Sequence, residues 1–152
     1  VRISLVFRKI RIQVHIIAWS YYFEVDMQRG GGTRNKGNYG ERIAANFLLS
    51  KGYEIVGRNF TNRFGEIDIV AWHEKPYFGR TLCFIEVKYR VADDGSAERA
   101  VGKKKQLHMT RGAAAYCIEY GIDSEHTPIQ FEQISIYGEG REQKMYHYEI
   151  TK

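Results

Sequence analysis

From residue 38 onward the apolar and polar positions fall into a regular order. Asn38 stands where a helix N-cap would, and Glu41 follows three residues later at capping-box spacing. Ala44, Ala45, Leu48 and Leu49 form the apolar stripe of a helix running to about Lys51, and Gly52 ends it. Tyr53 to Phe60 alternates and is rich in β-branched and aromatic residues, which predicts a strand. Gly65 to Trp72 predicts a second strand, with Glu66, Asp68 and Val70 on one face and Ile67, Ile69 and Ala71 on the other. Turn chemistry at Lys75-Pro76-Tyr77-Phe78-Gly79 leads into a third strand, Thr81 to Tyr89. On that strand Phe84, Glu86 and Lys88 share one face, and Cys83, Ile85 and Val87 share the other. A long helical window from Ala97 to Tyr120 closes at Gly121, and two last strands follow, Ile129 to Tyr137 and Met145 to Ile150. The order is helix, three-strand meander, helix, two strands. It predicts an α/β sandwich with a mixed central sheet flanked by helices.

The chain before residue 38 has a different character. Ile10, Ile12, Val14 and Ile16 alternate with Arg11, Gln13 and His15, which reads as a strand. A basic segment before an apolar one also suggests a secretory signal, but Tyr21-Tyr22-Phe23 is too bulky for a cleavage site. Residues 1–28 are therefore expected to be an N-terminal extension, either an extra strand or a segment upstream of a functional start at Met27. Residues 29–37 are expected to be a Gly-rich basic linker. Residues 38–152 are expected to form a single domain.

Composition narrows the class. A chain of 152 residues with 43% hydrophobic and 27% charged residues is globular rather than disordered. The longest uncharged run, Ile12 to Phe23, is shorter than the ~17–25 residues a membrane helix needs, so no membrane partner is expected. Cys83 and Cys117 lack any metal or redox spacing, and the five histidines are scattered. Two packed, reduced thiols in a cytoplasmic protein are the expectation.

Three acids and a lysine carry the candidate chemistry. Glu86 and Lys88 lie two apart on a strand and leave the same face. Asp68 sits on the neighbouring strand of the meander, so a carboxylate from each can converge beside an ammonium group. Hard cations such as magnesium take such oxygen clusters, and a nearby lysine can orient a water or balance a phosphate. Phosphodiester hydrolysis uses those parts. Glu41, expected in the first turn of its helix, can add a further carboxylate. The plainer alternative is an ordinary ion pair, Glu86 with Arg90 or Asp68 with Lys88. Strands covered by helices on both sides make unpaired acids costly, which favours a site.

At these residues the sequence resembles a known family. Gly37-Asn38-Tyr39-Gly40-Glu41, Gly65-Glu66-Ile67-Asp68-Ile69-Val70 and Phe84-Ile85-Glu86-Val87-Lys88-Tyr89-Arg90 are similar to blocks of the YraN-type bacterial family. Ala100-Val101, Lys105-Gln106, Ala113 and Tyr116 resemble its second helix, and Phe131 to Ile136 its fourth strand. That family is similar to archaeal Holliday-junction resolvases and to the restriction-endonuclease-like superfamily. The resemblance covers roughly residues 37–148. It implies a restriction-endonuclease-like fold, with Asp68 and Glu86 as metal-binding carboxylates, Lys88 as the catalytic lysine and Glu41 as an auxiliary acid. It implies magnesium, or manganese in its place, and puts Lys105 or Gln106 opposite the site. Residues 1–28 have no counterpart in the family, and Glu132 stands where Asp is usual.

Charge points the same way. The chain carries 23 Lys and Arg against 18 Asp and Glu, a mild polyanion footprint. Between Glu86 and Arg111 seven basic residues face four acidic ones, among them Arg90, Lys103, Lys104 and Lys105. Such a patch can hold phosphates without reading sequence, although a lysine run is also what a solvated helix face looks like. The expected partner is nucleic acid, DNA in duplex or branched form, with a homodimer if both strands are cut. Three readings follow: a magnesium-dependent endonuclease, a non-catalytic nucleic-acid-binding accessory factor of the same fold, and a protein-interaction domain whose acids form salt bridges.

Overall fold

The computed structural model describes residues 7–10, 33–92, 97, 102–139 and 143–150. Strand β1 is Phe7–Ile10, helix α1 Thr33–Ser50, β2 Glu54–Asn62, β3 Gly65–Lys75, β4 Gly79–Arg90, helix α2 Lys103–Glu119, β5 Ile129–Tyr137 and β6 Lys144–Ile150. One six-stranded sheet has the order β1-β6-β5-β4-β3-β2. Every pairing is antiparallel except β4 with β5, whose parallel connection runs through α2. The architecture is the expected α/β sandwich with a mixed sheet and a three-strand meander. The alternation at Ile12, Val14 and Ile16 lies outside the described residues.

Helices α1 and α2 cover opposite faces. Ala44, Ala45, Phe47 and Leu48 of α1 pack on Ile69, Ala71, Cys83, Ile85, Val87, Ile134 and Ile136. Ala113, Tyr116 and Cys117 of α2 pack on Ile67, Val70, Leu82 and Phe84. Both thiols are buried and unpaired, as expected. Each helix ends on a glycine with positive φ, Gly52 (83°) and Gly121 (65°). At each end the next residue reaches back to a carbonyl five positions earlier, Tyr53 N–H to Leu48 O (3.0 Å) and Ile122 N–H to Cys117 O (2.8 Å). Those bonds satisfy carbonyls that the helix leaves open.

Three local expectations need correction. Asn38 is not an N-cap, because α1 begins at Thr33 and runs through Gly37 and Asn38. Its opening turns thus occupy part of the stretch read as a linker. A helical glycine costs about 1 kcal/mol against alanine, and tertiary contact outweighs it here. Tyr39 packs edge-on against Tyr89 (5.7 Å between rings), and Gly40 beds on the same tyrosine. The helical window expected from Ala97 is interrupted: Ala97 is helical, but Gly102 is extended (φ −76°, ψ 174°) and helix α2 begins at Lys103. The third correction concerns β3. Ile67 lies on the α2 side with Val70, while Ile69 and Ala71 lie on the α1 side. Strict alternation fails between Ile67 and Ile69. There Asn59 of β2, between the register pairs Arg58↔Ile69 and Phe60↔Ile67, has φ +52° and turns the hairpin over.

Candidate active site

The irregularity at Asp68 builds the site. Regular pairing of β3 with β4 stops at Ile69↔Ile85. One residue further, Asp68 Oδ2 accepts a hydrogen bond from Val87 N–H at 2.7 Å, so a side-chain carboxylate replaces the missing rung of the ladder. The same step places Asp68 beside Glu86. Burial, then the Glu86 charge, push the Asp68 carboxyl up to about 7, against the opposing Val87 hydrogen bond and the Lys88 charge.

Glu86 is 1% exposed on β4 and faces α2. An ionised carboxylate at that depth needs partners. Lys88, two residues along the same face, pairs with Oε1. Lys105, from the first turns of α2, brings Nζ to 2.8 Å from Oε2, an ion contact off the line of a directed hydrogen bond. Gln133 and Ser135 of β5, register partners of Glu86 and Lys88, complete a buried polar floor. Gln133 Nε2 donates to Ser135 Oγ and to the carbonyl of Ala97, both at 2.9 Å. Polar residues inside the parallel strand Phe131–Ile136 are the sequence signal for this floor.

Glu41 comes from α1. Burial raises its carboxyl, and the charges of Glu66 and Glu86 add to that, against a hydrogen bond from Asn59 and the charge of Arg58. Its Oε2 is buried without a hydrogen-bond partner among the described residues. Glu41 reaches this position because Gly40 precedes it. A Cβ on Gly40 would stand 2.9 Å from Tyr89 Cβ, so only glycine lets α1 lie so close to β4.

The structure therefore gathers Asp68, Glu86, Lys88 and Lys105, with Glu41 near enough to feel the Glu86 charge. Other candidates stand apart. Arg90 is exposed and donates to the carbonyl of Tyr89 rather than pairing with Glu86. Lys104 is exposed, and Gln106 is half-buried with its backbone in the α2 ladder. The Lys103 side chain lies outside the described residues. Asn59 and Arg58, which attend Glu41, escape the sequence reading; an asparagine tolerant of positive φ is the one signal for Asn59.

A second polar cluster lies on the α1 side. Glu132 is fully buried and accepts hydrogen bonds from Lys75 Nζ (2.7 Å), from Tyr53 OH (3.1 and 3.2 Å) and from His147 Nε2 (2.7 Å). Lys75 also reaches Glu149 at 2.8 Å. Burial alone would raise Glu132, but His147 and Lys75 together hold it down at about 2. Burial and the Glu132 charge raise the Tyr53 hydroxyl and the Cys83 thiol.

Among the described residues no three His, Cys, Asp or Glu side chains stand together as a ready metal cage, and no helix is long and apolar enough to cross a membrane. What the fold and site define is an α/β sandwich with an acid–lysine cluster where its meander splays open. The chain belongs to the uncharacterised protein family UPF0102, the YraN family, whose model matches residues 40–136. It is 42% identical over 108 residues to a UPF0102 protein of Prosthecochloris aestuarii, covering 70% of this chain and 79% of the relative. A UPF0102 protein of Caldicellulosiruptor bescii is 38% identical over 106 residues, 69% of this chain and 84% of the relative. Another, from Clostridioides difficile, is 36% identical over 105 residues, 68% and 86% of the two chains.

Proposed function

We propose that this protein binds nucleic acid over the Asp68–Glu86 cluster and hydrolyses its phosphodiester backbone with magnesium, or manganese in its place. The observation that carries the reading is the pairing of a buried Glu86 with two lysines beside an Asp68 whose carboxyl is raised by burial and by the Glu86 charge. Asp68 has no ion pair among the described residues, and Lys88, whose charge reaches it, is paired with Glu86. The donor set suits a hard divalent ion. Asp68 and Glu86 offer carboxylate oxygens from adjoining strands, and the unpartnered Glu41 Oε2 adds negative charge nearby. Magnesium commonly uses one or two protein carboxylates and completes its shell with water and phosphate oxygens. When bound it would polarise the phosphoryl group and ease formation of the attacking hydroxide.

The chain's own residues do the rest. Asp68 and Glu86 would hold the cation. Lys88, fastened to Glu86, presents its ammonium to the scissile phosphate or the attacking water. Helix α2 opens on three lysines, with Gly102 giving no side-chain cap and no acid in the first turn. Cations at a helix N-terminus oppose the dipole and cost stability. Local rules broken in this way are the mark of a site with another duty, here attraction of phosphates.

A nicking assay with magnesium on supercoiled DNA and on structured RNA tests the reading. The wild type should cut, and Asp68→Asn should not. Lys88→Met keeps the stem and drops the charge, while Lys105 still pairs Glu86. Its cleavage should fall at least ~100-fold with little change in melting temperature. Salt-sensitive binding without cleavage would select the accessory-factor reading, which the lysine neutralisation of Glu86 also permits. Absence of both binding and cleavage would overturn the proposal.

A further inference from the structure

The β2–β3 hairpin tip is built differently from the rest of the surface. It consists of Arg63 and Phe64, closed by Gly65 at φ +136°, a conformation that favours glycine. Phe64 N–H donates to Asn62 Oδ1 at 2.7 Å, which fixes the turn. The Arg63 guanidinium lies over the Phe64 ring at 4.7 Å, and Arg111 of α2 approaches the same ring at 5.9 Å. Both arginines are exposed, and neither forms an ion pair among the described residues.

Charge pairing elsewhere makes this meaningful. At the opposite end of the meander the cations have partners: Arg80 with Glu54 at 2.8 Å, and Lys75 with Glu132 and Glu149. At the hairpin end Arg63, Arg111 and Lys104 have none among the described residues. Two guanidiniums held around one ring repel each other, and an anion brought between them relieves that repulsion. The tip also adjoins the site. Gly65 and Asp68 are three residues apart on β3, about 10 Å of extended chain, and His108 of α2 lies beside Gly65.

We propose that Arg63 and Phe64 form a stacking platform for an unpaired nucleotide next to the scissile phosphate, with Arg111 holding that nucleotide's own phosphate. The inference rests on the nucleic-acid reading above and adds a substrate preference to it: a strand with at least one base free of the helix. A guanidinium plane backed by an aromatic ring stacks on any base, because every base has a π-face. A fully paired duplex offers no face to it. Phe64 supports the plane and limits its rotation, so little order is lost when the base arrives.

Arg63→Lys separates stacking from charge. It keeps the positive charge, removes the plane and, at an exposed turn, leaves the fold intact. Affinity is measured for a single-stranded oligonucleotide and for a blunt duplex of equal length, over a range of salt. For Arg63→Lys, single-strand affinity should fall about tenfold, with an unchanged salt slope and unchanged duplex affinity. Phe64→Leu should show the same selective loss. Equal single-strand binding by wild type and Arg63→Lys would overturn the platform while leaving the nucleic-acid reading standing. Equal losses on both ligands would also overturn it, since they mark a charge effect alone. If the wild type binds neither ligand, the underlying reading has failed and the platform with it.

Discussion

Gly40 of α1 rests directly on Tyr89 of β4, and the space between them is smaller than a methyl group. This contact sets how deep α1 sits and hence where Glu41 comes to lie. Gly40→Ala would put Cβ 2.9 Å from Tyr89 Cβ. Overpacking of this kind costs about 1–3 kcal/mol, enough to outweigh the helix-propensity gain of about 1 kcal/mol. Gly37, on the same helix, faces open space. Denaturant titration should therefore find Gly40→Ala less stable than wild type and Gly37→Ala slightly more stable. Equal stabilisation by both would show that α1 can lift off the sheet at no cost.

Asp68 gives stability an unusual pH dependence. Its carboxyl titrates near 7 in the folded chain, against about 3.9 unfolded. Between those values the folded state binds the extra proton, so its contribution is fully present at low pH and is lost as pH rises through 7. Asp68→Asn keeps an oxygen for Val87 N–H and removes the charge. Its melting temperature should exceed that of wild type at pH 8, and the difference should shrink at pH 5. An equal difference at both values would mean that Asp68 ionises normally.

The lysines of α2 should divide by role. Lys104 is exposed, whereas Lys105 is committed to Glu86. Replacing Lys103, Lys104 and Lys105 together by alanine should weaken nucleic-acid binding and flatten its salt dependence, by roughly 0.7–0.9 in log–log slope for each phosphate no longer neutralised. Lys105→Ala alone, like Lys88→Met, leaves Glu86 its other lysine and should change stability little. A triple variant with the wild-type slope would return the run to a solvated helix face.

Glu132 is the larger structural liability. Glu132→Gln leaves the half-buried Lys75 and His147 without the anion that both contact. Breaking a buried pair in this way costs about 3–5 kcal/mol. Glu54→Gln, which breaks the exposed pair with Arg80, should cost about 0–1 kcal/mol. Unfolding curves of the two variants side by side check the contrast, and comparable losses would mean that the cluster relaxes around the gap.

Much of this architecture is legible in the sequence, for identifiable reasons. The strands announce themselves because each alternates or runs apolar between turn residues, and Gly52 and Gly121 end their helices as expected. Glu86 and Lys88 share a face because β4 is regular there. Alternation places Asp68 on the right strand but through the wrong geometry. It sets Asp68 opposite Ile67 and Ile69 together, whereas the chain turns over between those two isoleucines. Nothing in a period-two pattern reports a positive φ at Asn59 across the hairpin. The start of α1 is hidden because Gly37 and Asn38 look like punctuation, and only the Tyr39–Tyr89 packing overrides them. Lys105 is legible only through family resemblance, since a run of three lysines does not say which one turns inward.

The irregular course of β2 has a further consequence. Among the described residues this strand is an outer edge of the sheet, with Val56 exposed on it, and such an edge ordinarily invites a second chain to add itself. Its register slips between Ile55 and Gly57, and its backbone turns left-handed at Asn59. An incoming strand would find no long straight row of donors and acceptors to zip onto. The distortion of β2 therefore also protects the protein from polymerising through its own border, so straightening β2 to tidy the fold would cost solubility.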